Sequence, residues 1–198
     1  MTPQLVILGG PNGAGKTTFA RTNLTTLIGQ HAFLNADEIA HDVNPSDVEA
    51  VAVKAAREML RQRKELVRRQ RSFCIETTLA TRTLLPFVLQ AKEAGFQTRL
   101  VFLFTPFPYL NELRVKQRVM LGGHNIDTDT IRRRHRSGLG SLARYWEAID
   151  EALVFDARTR QPGLIVRKHA KDGIRIEDEA AFALLQDTIA AAGGRPLA

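Results

Sequence analysis

The chain has 198 residues, of which 44% are hydrophobic and 25% are charged. This composition is typical of a soluble globular protein and excludes a fibrous, low-complexity or intrinsically disordered chain. The formal net charge of +7 favours anionic partners, which include nucleotides, phosphorylated substrates, nucleic acid and acidic proteins, but it does not choose among them.

The length is sufficient to bury a hydrophobic core, so we expect a single domain over residues 1–198. The one cysteine, Cys74, rules out an intramolecular disulfide and fits a reducing compartment. The apolar run from Leu5 to Leu8 breaks into glycine too early for a signal peptide or a membrane span. We therefore expect a cytoplasmic protein that has no membrane partner.

Short apolar runs alternate along the chain with longer amphipathic stretches, which is the pattern of βα units that build a mostly parallel sheet. Strands are predicted at Leu5–Gly9, His31–Leu34, Ser72–Ile75, Arg99–Phe104 and Leu164–Arg167. Helices are predicted at about Lys16–Ile28, Ser46–Gln70, Arg82–Ala94, Pro108–Leu121, Thr128–Asp150 and Glu177–Ala191. The expected fold class is α/β, with a sheet of five or more strands and helices on both faces.

A phosphate-binding motif lies between the first predicted strand and the first predicted helix. It reads G-x-x-x-x-G-K-[ST] and consists of Gly10, Pro11, Asn12, Gly13, Ala14, Gly15, Lys16 and Thr17, followed by Thr18. Its glycines let backbone N–H groups turn toward phosphates, and the helix that follows adds unpaired amides and a positive dipole end. Lys16 is expected to reach the β- and γ-phosphates of ATP, and the Thr17 hydroxyl to ligate Mg²⁺. The motif predicts a P-loop NTPase three-layer sandwich.

Two carboxylates follow neighbouring predicted strands, where an open α/β sheet has its binding crevice. Asp37 would accept the proton of an acceptor hydroxyl and help to hold the metal shell, or alternatively it would cap a short helix. Glu76 ends an apolar strand and would face a metal or a substrate. The alternative for Glu76 is a simple turn, in which Thr77 or Thr78 caps the next helix.

Basic residues are concentrated in the region from about 108 to 150, which we predict to be a helical lid. Arg114 and Arg118 lie together beside the apolar face of the first lid helix, and one of them would enter the site. The second lid helix carries four more guanidiniums, which would meet triphosphate oxygens or would form a solvated basic face: Arg132, Arg133, Arg134 and Arg136. His135 falls on the apolar stripe of that helix and is expected to be a packed histidine.

The ordered segments GGPNGAGKTT, NADEIA, FCIETTL, QRVMLGGHN and IRRRHRSGL resemble the zeta-toxin family of P-loop kinases over about residues 5–142. The resemblance implies a Mg-ATP kinase in which Asp37 is the catalytic base and Glu76 positions the substrate, with Asn35 and Thr77 beside them. Arg118 resembles the family's first phosphate-binding arginine. His124 stands near the position of the second, which leaves Arg133 or Arg134 as its substitute.

The same resemblance implies an acceptor such as UDP-N-acetylglucosamine or a related nucleotide-sugar, and a toxin controlled by an acidic antitoxin protein.

The leading hypothesis is transfer of the ATP γ-phosphoryl group to the hydroxyl of a small molecule. A second hypothesis is a protein that acts on nucleic acid. It relies on the net charge and on the basic stripe formed by Arg57, Arg61, Lys64 and Arg68, but no aromatic residues interleave that stripe for base stacking, so nucleic acid is not the expected partner.

Overall fold

The computed structural model describes residues 2–28, 32–44, 47, 50–123 and 125–198, and the side chains of 24–28 are not described. Its strands are β1 (Gln4–Gly9), β2 (Ala32–Leu34), β3 (Phe73–Thr77), β4 (Gln97–Phe104), β5 (Glu151–Asp156), β6 (Gly163–His169) and β7 (Gly173–Ile176). Its helices are α1 (Lys16–Ile28), α2 (Ala36–Val43), α3 (Ala52–Arg68), α4 (Leu84–Glu93), α5 (Pro108–Met120), α6 (Thr128–Ala148) and α7 (Glu179–Ala191). His31, Ser46 and His124, which the predictions include, lie outside the described residues.

The strands form one seven-stranded sheet in the order β2-β3-β1-β4-β5-β6-β7. The five strands from β2 to β5 in that order pair in parallel, and β6 and β7 add an antiparallel edge. Because β1 lies beside β3, and β3 beside β2, the carboxyl ends of these three strands meet at one edge of the sheet. The segments that follow them are therefore brought together there, as the crevice rule for open α/β sheets requires.

Both faces of the sheet are covered by helices, as β1 illustrates. Leu5 and Ile7 point into a large core that includes buried residues of α4, α6 and α7, whereas Val6 and Leu8 point into a smaller core against α1. Alternate residues of a strand face opposite sides of the sheet, so these two cores lie on opposite faces. The predicted α/β class with a mostly parallel sheet of at least five strands and helices on both faces is confirmed.

Several predicted bounds differ from the structure. The helix predicted from Ser46 to Gln70 begins only at Ala52, and α2 occupies part of the preceding segment. The helix predicted to reach Asp150 ends at Ala148, and β5, which was not predicted, starts three residues later at Glu151. Its sequence EALVFD follows α6 with no Gly or Pro to mark the boundary.

The basic stripe of α3 is a solvated surface for the most part. Arg61 forms an ion pair with Glu58 at 2.7 Å, and Arg68 forms one with Glu65 at 2.7 Å, each within a single helical turn. Such pairs between exposed side chains neutralise much of the stripe. None of the helices in the described part of the chain combines the length and the apolar surface that a bilayer crossing needs.

Candidate active site

The loop between β1 and α1 follows a backbone path that requires glycine. Gly10, Gly13 and Gly15 have φ angles of 144°, 75° and 90°, a range that L side chains rarely adopt. A Cβ on Gly13 would also lie 2.6 Å from the carbonyl oxygen of Asn111 in α5. The same glycines therefore allow the turn and let α5 approach the loop closely.

The loop presents backbone donors to a cavity of about 810 Å³. Since α1 begins at Lys16, the amides of its first turn have no carbonyl partner within the helix and remain available to an anion. The side chains of Thr17 and Thr18 line the same cavity. This arrangement has the donors and the positive helix end that a triphosphate needs.

Lys16 is held at the floor of the site by the loop itself. Only 6% of the residue is exposed, and its Nζ donates to the Pro11 carbonyl oxygen at 2.9 Å. Nζ also lies 3.8 Å from Oε1 of Glu76. Burial lowers the pKa of the Lys16 ammonium, an effect that the negative charges of Glu76 and Asp37 oppose. Lys16 therefore lies where charged groups of both signs converge.

Glu76 connects the loop to the end of β2 through its Oε2 atom. Thr17 Oγ1 donates to that oxygen at 3.0 Å, and Asn35 Nδ2 donates to it at 3.1 Å. Burial raises the pKa of the Glu76 carboxyl group, whereas the Lys16 charge and the Thr17 hydrogen bond lower it. Glu76 therefore lies beside the loop between β1 and α1, and its role toward a metal or a substrate stays a prediction.

The same oxygens fit the requirements of Mg²⁺. A threonine hydroxyl has one hydrogen to donate and two lone pairs, so the bond from Thr17 to Glu76 leaves the Thr17 oxygen able to accept a cation. Mg²⁺ in nucleotide sites takes one or two protein oxygens and fills the rest of its shell with phosphates and water. Thr17 and Glu76 form a donor set of this kind.

Asp37 lies in the first turn of α2, with its side chain exposed to the site. The helix is capped by Asn35, whose Oδ1 accepts from the Asp37 backbone N–H at 2.9 Å. The alternative in which Asp37 caps this helix is therefore wrong, and its carboxylate is not used for capping. Asn35 is buried, and both polar atoms of its side chain are bonded, one to α2 and one to Glu76.

The alternative in which Thr77 or Thr78 caps the next helix is also wrong. The residue that precedes α4 is Thr83, and its side chain makes no capping hydrogen bond. Thr77 Oγ1 instead accepts from the backbone N–H of Leu79 at 3.1 Å. This bond shapes the loop after β3, which forms part of a second cavity.

The second cavity has a volume of about 310 Å³ and shares part of its lining with the first. Five residues line both cavities, and we call them the junction: Asn12, Lys16, Asn35, Asp37 and Glu76. The rest of the smaller cavity comes from α3, the loop after β3 and α4, together with Arg134 of α6. It therefore has a polar end at the junction and an apolar wall on α3.

The predicted arginines occupy different surroundings. Arg118 lines the larger cavity and Arg134 the smaller, and both positive charges lower the pKa of Lys16. Arg133 is exposed and lines neither cavity, so Arg134 is the better placed of the two. Arg114 donates to the Ala157 carbonyl oxygen at 2.8 Å, which ties α5 to the end of β5.

His135 is buried, as predicted, and its Nε2 lies 2.8 Å from the Thr105 carbonyl oxygen. A neutral ring that carries hydrogen on Nε2 satisfies this contact. Burial lowers the pKa of His135, although the hydrogen bond to Thr105 opposes the effect. The histidine therefore joins α6 to the end of β4.

Several cavity residues were not singled out as site residues from the sequence, and three of them lie on α1 and α3. Arg21 of α1 lines the larger cavity, and Arg63 and Met59 of α3 line the smaller one. The signal for Arg63 was present, because it lies four residues after Met59 on a stripe that is otherwise apolar. A charged residue in such a stripe indicates that part of the stripe faces a cavity or solvent instead of the packed core.

Comparisons with known proteins agree with this architecture. An uncharacterized protein of Haemophilus influenzae is 27% identical over 135 residues, which are 68% of this chain and 94% of that protein. A solved structure of the PezAT chromosomal toxin-antitoxin system of Streptococcus pneumoniae matches with a TM-score of 0.68 and 17% identity, over 94% of this chain and 78% of the other.

The crystal structure of AvrRxo1-ORF1:-ORF2 with ATP matches with a TM-score of 0.73 and 14% identity. That match covers 93% of this chain and 63% of the other. At these identities the two solved structures show a shared fold. Residues 5–137 also match the AAA domain family AAA_33. This family match extends over more than half of the chain. The chain therefore belongs to that family of P-loop AAA domains.

Proposed function

We propose that this protein is an ATP-dependent kinase that transfers the γ-phosphoryl group to a hydroxyl of a small acceptor. The observation that carries the proposal is the junction, whose residues line both cavities. The larger cavity lies beside the phosphate-binding loop, and the smaller cavity adjoins it at the junction. ATP bound in the larger cavity and an acceptor bound in the smaller one would meet at Lys16, Asp37 and Glu76.

In the transfer step, the acceptor oxygen forms a bond to the γ-phosphorus while the bond from that phosphorus to the β–γ bridging oxygen breaks. Asp37 takes the proton of the acceptor hydroxyl, and ADP leaves with the bridging oxygen. Its exposed carboxylate is free for this role because Asn35 caps α2. Asn35 acts as a positioning residue that fixes Asp37 and Glu76 relative to each other.

Lys16 would neutralise charge on the transferred group, and its contact with the Pro11 carbonyl oxygen holds it in place before ATP binds. Thr17 and Glu76 would hold Mg²⁺, which, when bound, supplies positive charge to the β- and γ-phosphates. Arg118 and Arg134 approach the junction from opposite cavities, so each would stabilise the charge that spreads over the γ-phosphoryl oxygens.

The motifs that resemble zeta toxins favour UDP-N-acetylglucosamine or a related nucleotide-sugar as the acceptor. The smaller cavity, at about 310 Å³, lies at the lower end of the range of about 300–1,000 Å³ for small-molecule sites. A compact acceptor is therefore the better fit, and a nucleotide-sugar would extend beyond this cavity. The acceptor panel must include both kinds of molecule.

The proposal is tested with Mg-ATP and a panel of UDP-sugars, nucleosides and small alcohols, in which phosphorylated products are detected by mass. We expect Asp37→Asn to reduce transfer by about 10²- to 10⁴-fold, because the general base is lost. ATP binding should be retained. Asp129→Asn is the matched control, since Asp129 lies in the first turn of α6 and lines neither cavity. Equal transfer by Asp37→Asn and the wild type would refute the assignment of the base.

A second candidate function is a kinase toxin held by an acidic antitoxin protein. It is favoured by the fold shared with the PezAT structure and by apolar side chains on the outer surface at the end of α5, where Met120 is 78% exposed and Leu121 89% exposed. Co-purification of a small acidic protein from the native source, lost on substitution of Met120 and Leu121 by Ser, would support it. Purification of the protein alone would count against it.

A further inference from the structure

One face of α3 forms the wall of the smaller cavity opposite the phosphate-binding loop. Its lining residues are Ala56, Met59, Leu60 and Arg63, which recur at the spacing of a single helix face. Leu84 of α4 continues this wall. The cavity therefore has the junction at one end, and at the other it has an apolar surface that contains a single cationic side chain of α3.

Arg63 is half-buried, and its guanidinium carbon lies 4.3 Å from the centre of the Phe87 ring. Its Nε is buried and has no hydrogen-bond partner among the described residues. Phe87 belongs to the large core, so the ring is a fixed surface beneath the guanidinium. The contact with the ring is a cation–π interaction, and it leaves the buried Nε–H without a hydrogen-bond acceptor.

Three exposed arginines in or directly after α3 behave differently. Arg61, Arg68 and Arg69 each pair with Glu58 or Glu65 at distances between 2.5 and 2.7 Å, although they are exposed and have water available. Arg63 is more buried than these three arginines, and it has no ion pair within the described part of the chain. Burial lowers the pKa of its guanidinium, which reflects the cost of holding this charge away from water.

A guanidinium whose buried Nε–H has no acceptor loses hydration that a bound anion would replace, because a buried donor without a partner costs free energy. We propose that Arg63 binds an anionic group, a carboxylate or a phosphate, carried by the acceptor whose hydroxyl faces Asp37. This inference rests on the proposed kinase function. A guanidinium fits either anion through two parallel hydrogen bonds.

The charges in the cavity fix the direction in which such an acceptor binds. At the junction Lys16 lies 3.8 Å from Glu76, and Asp37 adds a second carboxylate, so the charge there is net negative and repels an anion. The other charged lining residues, Arg63 at the α3 wall and Arg134, are positive, and of these Arg63 lies on the wall opposite the phosphate-binding loop. The anionic group therefore lies against α3, and the neutral hydroxyl lies at the junction. Because the cavity holds only about 310 Å³, both groups belong to one small molecule.

The kinetic test uses matched acceptors that differ only in the group proposed to meet Arg63, beginning with glycerate, glycerol 3-phosphate and glycerol. We expect the wild type to phosphorylate anionic acceptors and to discriminate against their neutral counterparts. A preference for the carboxylate or the phosphate member identifies which anion the site takes. Equal use of the neutral member would overturn the proposal.

The variants are Arg63→Met, which keeps the apolar stem over Phe87, and Arg63→Lys, which keeps the charge. Arg63→Met should raise the KM for the anionic acceptor by about 10- to 100-fold, the effect of losing hydrogen bonds to a charged group. The KM for ATP should not change, and Arg63→Lys should recover part of the loss. Arg61→Met is the control on the exposed surface, and equal acceptor KM values for Arg63→Met and Arg61→Met would contradict the inference.

A binding measurement separates this inference from the kinase proposal. Acetate and inorganic phosphate are titrated into the protein while a non-hydrolysable ATP analogue occupies the phosphate-binding loop, and the Arg63 Nε–Hε signal is followed by NMR. That signal is assigned by its absence in Arg63→Met. A saturable shift at Arg63, without one at Arg61, supports the anion site even if no acceptor is phosphorylated. No such shift means that the anion site is absent, whatever the transfer assay shows.

Discussion

The two cavities are built by different means. In the larger cavity the proposed phosphate-binding part comes from one continuous segment of chain, which contributes glycines, first-turn amides and Lys16, while α2, β3 and α5 supply the rest of the lining. The smaller cavity is assembled from α2, α3, the loop after β3, α4 and α6, and its character comes from side chains. The difference teaches that the loop proposed to bind phosphates is encoded locally, whereas the cavity proposed to bind the acceptor depends on packing between distant elements.

The largest expected effect concerns the phosphate-binding loop, which is the locally encoded part of the two cavities. Lys16→Ala should reduce phosphoryl transfer by about 10³-fold, because a fixed positive charge beside the developing negative charge is removed. It should also weaken ATP binding, which is measured by calorimetry. Lys64→Ala on the exposed face of α3 is the control. Transfer by Lys16→Ala at the wild-type rate would show that the loop does not bind the reacting phosphate.

The dependence of the smaller cavity on packing is tested at Gly138, where α6 passes directly over residues 78–83, the loop after β3 that we call the acceptor loop. A Cβ at this position would overlap the Thr78 carbonyl oxygen. Gly138→Ala should therefore displace α6, lower the free energy of unfolding by about 1–3 kcal/mol and raise the KM for the acceptor more than that for ATP. Urea unfolding and steady-state kinetics measure these effects.

Gly163→Ala is the control for this substitution, because a Cβ there would meet nothing within 4 Å. Equal increases in the KM for ATP and for the acceptor in Gly138→Ala would indicate a general loss of structure. That result would remove the distinction drawn between the two cavities.

The smallest expected effect concerns the attachment of α6 at His135. Burial lowers the pKa of His135 in the folded protein, so in the unfolded protein the ring binds a proton at a higher pH. Stability should therefore fall as the pH drops below about 6.5, by at most about 1.4 kcal/mol per pH unit. His135→Gln retains an N–H donor for Thr105 and should show a flatter pH profile in urea unfolding between pH 7 and 5. Identical profiles would mean that His135 does not titrate on unfolding.

The sequence allowed the loop between β1 and α1 to be located, because its glycines adopt positive φ angles that the motif requires. That this loop binds phosphates stays a prediction. Asp37 and Glu76 were predicted from their positions after apolar strands, since the carboxyl ends of neighbouring parallel strands meet. The capping alternatives failed because Asn35 and Thr83 precede the helices in question. The capping residue is the one directly before the first residue of the helix. Periodicity alone does not fix where a helix begins, so it does not fix the capping residue either.

Other features depended on tertiary packing and were not predictable. The short strand β5 has no flanking Gly or Pro, and its pairing with β4 is long-range. Arg134 could not be chosen over Arg133 from the sequence, because the choice depends on how α6 rotates against the acceptor loop. Gly138 determines that approach, and nothing near it in the sequence indicates the contact with Thr78.

The central claim is that the γ-phosphoryl group moves from ATP in the larger cavity to a hydroxyl in the smaller one. The most direct measurement supplies Mg-ATP whose γ-phosphoryl oxygens carry ¹⁸O, together with the acceptor panel, and follows the label by mass. The account predicts that the label appears on an acceptor hydroxyl and that Asp37→Asn suppresses this product. Label that appears only in inorganic phosphate, in equal amounts for the wild type and Asp37→Asn, would contradict it.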